Sequence, residues 1–454
     1  MSIFRAYDIR GIYGKVLNEE VMKGIGNALG NYIKGNLVIG RDCRLSSASL
    51  QDSFVKGFLE TGKNVINTGE IPLGAGMFYA WKEKTDFAYI TASHLSKEWN
   101  GVKFFHGNGI GFLEEENLKV RDFYMNGPLV ASRTGKLLKP KWNVLEGYKK
   151  FLLSKIKARK RLKVVLDCGD GMAGLIAPDV FRLAGFDVEV IFGKPNGNFP
   201  SRGPDPMENP LTELRKSVMK ADLGIAYDGD GDRMVVVDNK GIRLTPERAS
   251  YFILTELLKR EKGPVIANVE CTRAIDDVAK KFNRSVKRIK VGHTFLMDAV
   301  KKESACFGVE VSGHYVIPFI VPFDDSLAVS LYTAAVLSSR NQSLDEEIKD
   351  IPVYPFERVS FDCSDQKKFE VVEKLKKEIG SKYGKASFLD GIRIDMDKGW
   401  VLIRPSNTAP VIRLTVEGKT DKDKESIKRI FSSVLEQGIR KFEDRSRKSR
   451  LQSR

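Results

Sequence analysis

The sequence predicts an α/β protein: three repeated α/β domains with parallel or mixed sheets, followed by a smaller C-terminal α+β domain. Strand–helix–strand patterns begin near Leu37, Leu162 and Gly263, and strands that alternate with helices are typical of parallel sheets. Each pattern is followed by a further apolar run that ends in a polar loop. The chain of 454 residues is also too long for a single hydrophobic core.

The three repeated units are predicted from apolar spacing and turn residues. The first has a strand at 37–42, a helix that Ser46 or Ser47 caps and Gly62 ends, and a strand at 64–69. The second has a strand that runs into a glycine-rich turn (162–171), a helix over 175–183 and a strand over 187–193. The third has a strand over 263–272, a helix over 274–281 and a strand over 286–292.

The pattern changes after residue 352. An amphipathic helix over 364–380 precedes antiparallel strands that turn at 397–399, and a last helix runs from about 424 to 442. We therefore expect domains at 1–143, 144–242, 243–352 and 353–442, and a frayed basic tail at 443–454.

Composition describes an ordinary globular protein with a formal net charge of +16. This charge suits nucleic acid, an anionic small substrate, or solubility alone, but neither an aromatic-rich basic RNA module nor a zinc-type spacing is found. No apolar run approaches the ~20 residues of a membrane span, and the N-terminus lacks the apolar core of a signal peptide. The five cysteines are scattered, so we expect reduced thiols. Together these observations predict a cytoplasmic protein without a nucleic-acid or membrane partner.

Three apolar strands end in polar loops that carry Ser93-His94, then Asp228, Asp230 and Asp232, then Glu310, Ser312 and His314. The carboxyl ends of parallel strands are where such sheets bind ligands. If the repeats face one cleft, the three loops lie together. Three of the four histidines of the chain, including His293, fall in these candidate loops.

The segment DGDGD places three carboxylates at alternate positions, and its glycines let the backbone bend them towards one point. Such an oxygen set suits Mg²⁺, and the adjacent Arg233 can offset phosphoryl charge. A calcium EF-hand is the alternative, but Asn239 stands where its last glutamate is needed. A solvated acidic turn is disfavoured because apolar strands flank the segment.

The remaining candidates have weaker local signals. Glu310, Ser312 and His314 would point to one side of an extended segment and bind sugar hydroxyls, although a strand's polar face looks the same. Ser93 is a candidate phosphoserine, although most serines after strands are turn or cap residues. Residues 404–408 are a candidate phosphate loop, with a polar hairpin as the alternative. Lys103 is a candidate acid/base group or phosphate partner. Tyr7 and Arg10 are candidate ligand contacts, although Arg10 can also simply pair with Asp8.

The whole chain resembles the α-D-phosphohexomutase family of phosphomannomutases, phosphoglucomutases and phosphoglucosamine mutases. The resemblance rests on the segments FRAYDIRG, VIGRDCRLSS, TASH, NGVKF, DGDGDR, VGHT, EVSGH and RPSNTAP. It implies four domains around a central cleft and reversible phosphoryl transfer between the 1- and 6-positions of a hexose, through a phosphoserine and a hexose 1,6-bisphosphate. It also implies one Mg²⁺ per active site, with hexose 1,6-bisphosphate as intermediate and activator, in a monomer or homodimer.

Matching positions imply the following roles. The catalytic group is Ser93, Arg10, Lys103 and Arg233, and the metal group is Ser93, Asp228, Asp230 and Asp232. The substrate-binding group is Tyr7, His293, Glu310, Ser312, His314, Arg404, Ser406, Asn407 and Thr408. RPSNT is similar to the mannose and glucose branch, with phosphoglucosamine mutase as the alternative.

Two departures from the family pattern stand out. Leu95-Ser96 stand where the family usually has Asn-Pro, and Asp324-Asp325-Ser326 stand where the family commonly has Asp-Asp-Gly. Neither removes a group that the resemblance makes catalytic. Two rival functions stay open, namely a sugar phosphatase and a non-enzymatic sugar-phosphate or nucleic-acid binding protein. The retained 404–408 loop argues against a phosphatase, which has no need of a second phosphate anchor.

Overall fold

The computed structural model describes residues 3–4, 8–364, 366–379, 383, 385–406 and 410–452, with the backbone alone for 442–452. Four sheets follow one another along the chain, one in each predicted domain range. The domain boundaries themselves stay a prediction. Among the described helices, none is long and apolar enough to cross a membrane.

The first sheet has six strands in the order β1-β5-β4-β2-β3-β6, with parallel pairing at its centre and antiparallel pairing at β1 and β5. Its elements are β1 (Ile9–Ile12), α1 (Glu19–Tyr32), β2 (Leu37–Arg41), α2 (Ser47–Leu59), β3 (Val65–Glu70), α3 (Leu73–Glu83), β4 (Asp86–Ile90), β5 (Trp99–Phe105), α4 (Glu114–Met125) and β6 (Leu137–Leu138). Ser46 stands at the N-cap of α2 but makes no side-chain capping bond, since its hydroxyl accepts from Asn100 Nδ2 instead.

The second sheet has the order β10-β9-β7-β8, with β10 antiparallel to its neighbour. Its elements are α5 (Val144–Lys155), β7 (Lys163–Asp167), α6 (Ala177–Leu183), β8 (Asp187–Ile191), α7 (Thr212–Ser217), β9 (Leu223–Tyr227) and β10 (Met234–Asp238). The helix predicted over 175–183 is split: a 3₁₀ turn, Met172–Leu175, precedes α6, which has a proline in its first turn. Proline fits a helix start because it has no N–H to leave unpaired.

The third sheet has the order β12-β11-β13-β14. Its elements are α8 (Pro246–Leu257), β11 (Val265–Asn268), α9 (Ala274–Lys281), β12 (Val286–Ile289), α10 (His293–Lys302), β13 (Phe307–Val309), β14 (Tyr315–Val316), α11 (Ser326–Ser338) and α12 (Leu344–Ile348). In all three sheets one inner strand, β4, β9 or β13, is followed by an antiparallel partner, β5, β10 or β14. The polar loops of the sequence are the connections of these three hairpins.

The fourth sheet is antiparallel, in the order β15-β19-β18-β17-β16. Its elements are β15 (Phe356–Asp362), α13 (Lys368–Ile379), β16 (Lys385–Ser387), β17 (Ile392–Met396), β18 (Gly399–Pro405), β19 (Val411–Gly418) and α14 (Asp421–Gln452). The last helix continues well beyond the predicted end at residue 442, to Gln452. The fraying of the tail at 443–454 stays a prediction. The tail is rich in arginine and serine and lacks glycine and proline, so no residue in it breaks a helix.

The hydrophobic cores show which domains share their packing. One continuous cluster joins residues of the first three domains, from Val38 through Leu166 to Phe307. The fourth domain has a separate core between its sheet and the helices α13 and α14. A small cluster of Val269, Trp400 and Leu402 connects it to the third domain. The three loops therefore stand on one shared scaffold.

Candidate active site

The three hairpin loops of the first three domains meet at one place. Ser93 Oγ donates a hydrogen bond to Asp228 Oδ2 at 2.8 Å, which joins the first loop to the second. His314 Nε2 lies 3.5 Å from Asp232 Oδ1, which joins the third loop to the second. The predicted meeting of the three strand ends is what the structure shows.

The three aspartates of the second loop form a compact, buried group. Ligand oxygens of Asp228, Asp230 and Asp232 lie within 4.8 Å of one another, and each residue is at most 1% exposed. One oxygen each of Asp230 and Asp232 is buried without a hydrogen-bond partner. Unpartnered carboxylate oxygens that converge in a buried site are what a hard divalent cation requires, so the residues fit Mg²⁺.

Asp228 also holds the shape of its own loop. Its Oδ1 accepts the backbone N–H groups of Gly231, Asp232 and Arg233 at 3.0, 3.0 and 3.1 Å. Gly231 has a φ of +81°, a conformation that costs glycine little and other residues more. The glycine and the acceptor together allow the tight turn that brings the carboxylates together.

Burial and neighbouring charges shift the pKa values of two of these aspartates in opposite directions. Burial, and then the charges of Asp232 and Asp230, raise the pKa of Asp228 well above its ordinary value. Burial also acts to raise the pKa of Asp232, but Lys103 and His314 outweigh it and lower that pKa well below its ordinary value. A bound cation would relieve this repulsion by supplying opposite charge.

Lys103 on β5 is the cation that faces the carboxylates. Its Nζ lies 3.1 Å from Asp230 Oδ2 and 2.6 Å from Asp232 Oδ2, and the side chain is almost fully buried. Although burial alone would lower its pKa, the two carboxylates raise it above the ordinary lysine value. Lys103 therefore stays an ammonium group, which suits stabilisation of negative charge and not proton abstraction.

Ser93 is buried at the start of its loop with a φ of 51°. Its N–H donates to Thr91 Oγ1 at 2.8 Å. The Thr91 hydroxyl in turn lies 2.8 Å from Asp42 Oδ2 and 3.1 Å from Asp230 Oδ2 and shares its one proton between them. Burial, followed by the charges of Arg233 and Arg10, lowers the pKa of His94 far below its ordinary value. The neutral ring places Nδ1 3.4 Å from Ser93 Oγ.

Arg44 organises the serine loop, although the sequence motifs indicated no role for it. Its guanidinium is fully buried and pairs with Asp42 at 3.0 Å. It also donates to four backbone carbonyls of the loop, those of Ser93, Leu95, Ser96 and Trp99. The available signal was the position of Asp42 and Arg44 directly after the apolar strand β2.

The third loop departs from its predicted shape. Residues 310–314 form a tight turn between β13 and β14 and not an extended segment, with Gly313 N–H donating to Glu310 O at 3.1 Å. The side chains converge nevertheless: Ser312 Oγ is 2.9 Å from His314 Nδ1 and 3.4 Å from Glu310 Oε2. Glu310 Oε1 accepts from Gly292 N–H and Asn268 Nδ2, so one carboxylate oxygen is already used to hold the loop.

His293, the first residue of α10, lies beside the third loop. Its ring stacks on His314 with centroids 5.2 Å apart, and its Nδ1 lies 3.2 Å from Asp324 Oδ2. Asp324 precedes α11 and is fully buried. Sequence motifs indicated His293 and His314 as substrate contacts but did not indicate this shared carboxylate.

Two arginines border the same cleft. Arg10 Nε lies 2.6 Å from Asp8 Oδ2, the simple pairing that the sequence left open, and its Nη1 also donates to Ala92 O at 3.4 Å. Arg233 Nε donates to His314 Nε2 at 3.4 Å.

The loop of the fourth domain is described in part. Arg404 donates from Nε to Asp390 Oδ1 at 3.0 Å and from Nη1 to Glu270 Oε1 at 3.5 Å. Ser406 is buried, and its N–H donates to Val411 O at 3.0 Å. A phosphate at Arg404 would therefore meet two carboxylates that already contact the guanidinium. The predicted substrate contacts Tyr7, Asn407 and Thr408 lie outside the described residues.

Four family models match the chain in succession. They are the phosphoglucomutase/phosphomannomutase alpha/beta/alpha domains I (residues 1–128), II (145–241) and III (246–354), and the C-terminal domain (359–433). Together they span most of the chain and agree with three repeated α/β domains and a different fourth one.

Individual relatives give the same result. A phosphomannomutase/phosphoglucomutase of Pseudomonas putida is 31% identical, with 96% of this chain and 95% of the relative covered. A probable phosphoglucosamine mutase of Methanopyrus kandleri is 30% identical, with 95% and 97% covered. A crystal structure of a phosphoglucomutase/phosphomannomutase family protein from Burkholderia thailandensis superposes with a TM-score of 0.88 at 25% identity and covers 96% of this chain and 97% of its own. The chain is therefore a phosphohexomutase, an isomerase that belongs to the phosphoglucomutase/phosphomannomutase family.

Proposed function

We propose that this enzyme interconverts the 1-phosphate and 6-phosphate of mannose and glucose through a phosphoserine at Ser93 and a hexose 1,6-bisphosphate. The contact between Ser93 Oγ and Asp228 Oδ2 carries the proposal. It places a buried hydroxyl of the loop after β4 directly against a group of carboxylates that fits a divalent cation. A nucleophile beside a metal site is the arrangement that phosphoryl transfer requires.

The transfer step balances in atoms and electrons. The bond between Ser93 Oγ and phosphorus breaks, and its electron pair stays on Ser93 Oγ. The free hydroxyl oxygen of the sugar phosphate forms the new bond to phosphorus and loses its proton, while Ser93 Oγ gains one. The bisphosphate then turns over in the cleft and returns its other phosphoryl group to Ser93 by the same step in reverse.

Asp228, Asp230 and Asp232 would hold Mg²⁺, with an oxygen of phosphorylated Ser93 as a further ligand. When bound, Mg²⁺ supplies positive charge that offsets the negative charge of the transferred phosphoryl group. Asp228 orients the Ser93 hydroxyl through the 2.8 Å hydrogen bond.

Positive side chains border the transferred group. Lys103, held as an ammonium by its two carboxylate neighbours, stabilises the developing charge. Arg233 follows the metal loop directly, and Arg10 is anchored to the serine loop through Ala92 O. These three cations are assigned to charge stabilisation and not to proton transfer.

The sugar is assigned to Glu310 and Ser312, with Tyr7, His293 and His314 along the same cleft. The Ser312 hydroxyl and Glu310 Oε2, which lie 3.4 Å apart, can bind neighbouring sugar hydroxyls. Arg404, Ser406, Asn407 and Thr408 are assigned to the phosphate that does not react. A second phosphate anchor suits a substrate that must bind in two orientations, and it favours a mutase over a sugar phosphatase.

The identity of the sugar rests on the motif RPSNT and on the relatives. The motif favours mannose and glucose phosphates, as does the name of the relative from Pseudomonas putida. Phosphoglucosamine mutase is the second candidate, because relatives of about equal identity from Methanopyrus kandleri and Methanosarcina acetivorans are named probable phosphoglucosamine mutases. A cytoplasmic location, a monomer or homodimer, and the absence of a nucleic-acid partner stay predictions.

A coupled assay tests the proposal. Mannose 1-phosphate, glucose 1-phosphate and glucosamine 1-phosphate are offered in parallel with Mg²⁺ and a trace of hexose 1,6-bisphosphate. We expect the 6-phosphates to form without a lag, fastest from mannose or glucose. Release of inorganic phosphate instead would identify a phosphatase.

Variants in the serine loop sharpen the assay. S93A should abolish turnover while the protein stays folded and still binds the sugar phosphate. S96A is the matched control, because the Ser96 side chain is exposed in the same loop, and it should keep turnover near the wild-type rate. Turnover that survives in S93A would show that Ser93 is not the phosphoryl carrier.

A further inference from the structure

Two imidazoles and one carboxylate form a second group of potential metal ligands beside the aspartate group. Ligand atoms of His293, His314 and Asp324 lie within 4.8 Å of one another, and the three residues are 7%, 3% and 0% exposed. His293 comes from the start of α10, His314 from the third hairpin loop and Asp324 from the segment before α11. The site is thus built by three separate segments of the third domain.

Hydrogen bonds orient His314, whereas His293 Nδ1 and Asp324 Oδ2 contact each other at 3.2 Å, a contact that a bound metal ion would replace. His314 Nδ1 is engaged by Ser312 Oγ at 2.9 Å, and Arg233 donates to its Nε2, so the geometry presents Nε2 as an electron-pair donor towards the group. A hydrogen bond of this kind at the ring nitrogen that does not face the metal is typical of metal-bound histidine. Asp324 Oδ1 is fully buried without a hydrogen-bond partner, which is costly unless a ligand takes it.

We propose that His293, His314 and Asp324 form a second metal site, which binds a divalent transition ion of the Zn²⁺ class next to the carboxylates of the second loop. Two imidazoles with one carboxylate suit Zn²⁺ and its neighbours in the first transition row, whereas the all-oxygen aspartate group suits Mg²⁺. The two sites are adjacent, since His314 Nε2 lies 3.5 Å from Asp232 Oδ1 and 3.8 Å from Asp324 Oδ2.

Binding at this site has a defined competitor. Arg233 Nε contacts the same His314 nitrogen at 3.4 Å, and a cation cannot occupy that position while the guanidinium stays there. The metal therefore displaces Arg233 and fixes His314. On the proposed function, in which both residues face the substrate, the bound ion inhibits the mutase; the binding itself does not depend on that function.

Co²⁺ in the presence of excess Mg²⁺ is the probe for binding. We expect the chelator-treated full-length protein to bind one Mg²⁺-resistant Co²⁺, with a visible absorption spectrum of a nitrogen-containing site that Zn²⁺ abolishes. H293Q and D324N should each weaken this binding by about tenfold or more, while R233Q should strengthen it. H106Q is the matched control, because His106 lies outside the group and pairs with Glu116, and it should bind Co²⁺ like the wild type.

X-ray absorption at the zinc edge tests the same site without any substitution. The wild-type protein with one equivalent of Zn²⁺ should show two imidazole ligands. A spectrum with oxygen ligands alone would overturn the proposal, as would the absence of Mg²⁺-resistant Co²⁺ binding or binding that survives in correctly folded H293Q and D324N. Mutase activity enters none of these measurements, so the failure of this site and the failure of the proposed function are distinguishable.

Discussion

The serine loop and the metal loop are held in opposite ways. In the serine loop a buried cation, the guanidinium of Arg44, collects four backbone carbonyl groups. In the metal loop a buried anion, the carboxylate of Asp228, collects three backbone N–H groups. In both loops the charged side chain makes hydrogen bonds with backbone groups that no strand or helix pairs. Backbone polar groups in a buried loop require such partners.

The two loops differ in whether the residue that supports the loop also takes part in the proposed reaction. Arg44 lies 49 positions from Ser93 and supports the loop without belonging to the proposed reacting groups. Asp228 supports its loop through Oδ1 and faces Ser93 through Oδ2. Substitutions at Arg44 should therefore affect stability first, whereas substitutions at Asp228 should affect metal binding first.

The largest expected effect is that of R44Q. Glutamine cannot replace the charge opposite Asp42 or reach all four carbonyls, and loss of one partner of a buried ion pair costs about 3–5 kcal/mol. Urea unfolding should show a lower free energy of unfolding by that amount. R44K keeps the charge but lacks the planar fork, so it should fall between R44Q and the wild type. A stability of R44Q equal to that of the wild type would contradict the support role of Arg44.

D228N should have the opposite profile. Asparagine keeps Oδ1 as acceptor for the three N–H groups and removes one of three mutually repelling charges, so metal-free stability should not fall. Mg²⁺ affinity should fall by about tenfold or more, because a charged ligand is lost. Titration of activity with Mg²⁺, together with thermal unfolding, separates the two effects.

The control for D228N is D170N. Asp170 is also buried in the second domain but binds Ser201 instead of facing the carboxylate group. The Mg²⁺ titration of D170N should match the wild type. If D228N lowers stability and leaves the Mg²⁺ requirement unchanged, the distinction between the two loops fails.

Ser326 gives a smaller test, because it supports the metal loop from outside. Its hydroxyl donates to Gly231 O at 2.6 Å. S326A should lower the free energy of unfolding by about 1 kcal/mol and lower Mg²⁺ affinity by less than about tenfold. S330A removes a hydroxyl one turn further along α11 that bonds Tyr227 and Leu327. It should cost similar stability and leave the Mg²⁺ titration unchanged, unlike S326A.

The smallest effect is expected at His106, which pairs with Glu116. Both side chains are partly exposed, so this pair shows how little an ion pair outside the two buried loops contributes to stability. Burial acts to lower the pKa of His106, but the Glu116 contact outweighs it and raises that pKa, whereas the same contact lowers the pKa of Glu116 despite burial. The histidine contribution is present below its unfolded pKa and is lost as the pH rises through the raised folded pKa. The glutamate contribution is present above its unfolded pKa and is lost as the pH falls through the lowered one.

H106Q should therefore destabilise the protein by about 0.5 kcal/mol near pH 6 and by less near pH 8. Unfolding at both pH values with H106Q and the wild type measures the difference. A larger effect at the higher pH would contradict the assigned direction.

Local patterns were sufficient for most elements. Helix α9 and the inner strand of each hairpin lie where apolar spacing predicted them, because these signals depend on neighbouring residues alone. Two predictions were wrong where composition and tertiary contacts compete: α14 continues past residue 442, and residues 310–314 form a turn. The turn exists because β13 pairs with β14, a pairing that the spacing of three polar residues does not reveal.

The candidate site was predicted in part. The motifs indicated Ser93, the three aspartates and Lys103, and the structure places all five in contact. They did not indicate Arg44 or Asp324. A buried arginine and an aspartate before a helix are common in sequences, and only their partners distinguish these two.

The sequence by itself determined the class of fold, the repeated strand ends and the residue types that those ends carry. Composition, spacing and glycine positions are local, and local energies decide strands, helices and turns. Only the tertiary structure decided which ends meet: Ser93 reaches Asp228 across 135 positions, and Arg44 binds four carbonyls of a loop some fifty residues away. Such contacts depend on the packing of three domains around a shared core, which no short segment of sequence contains.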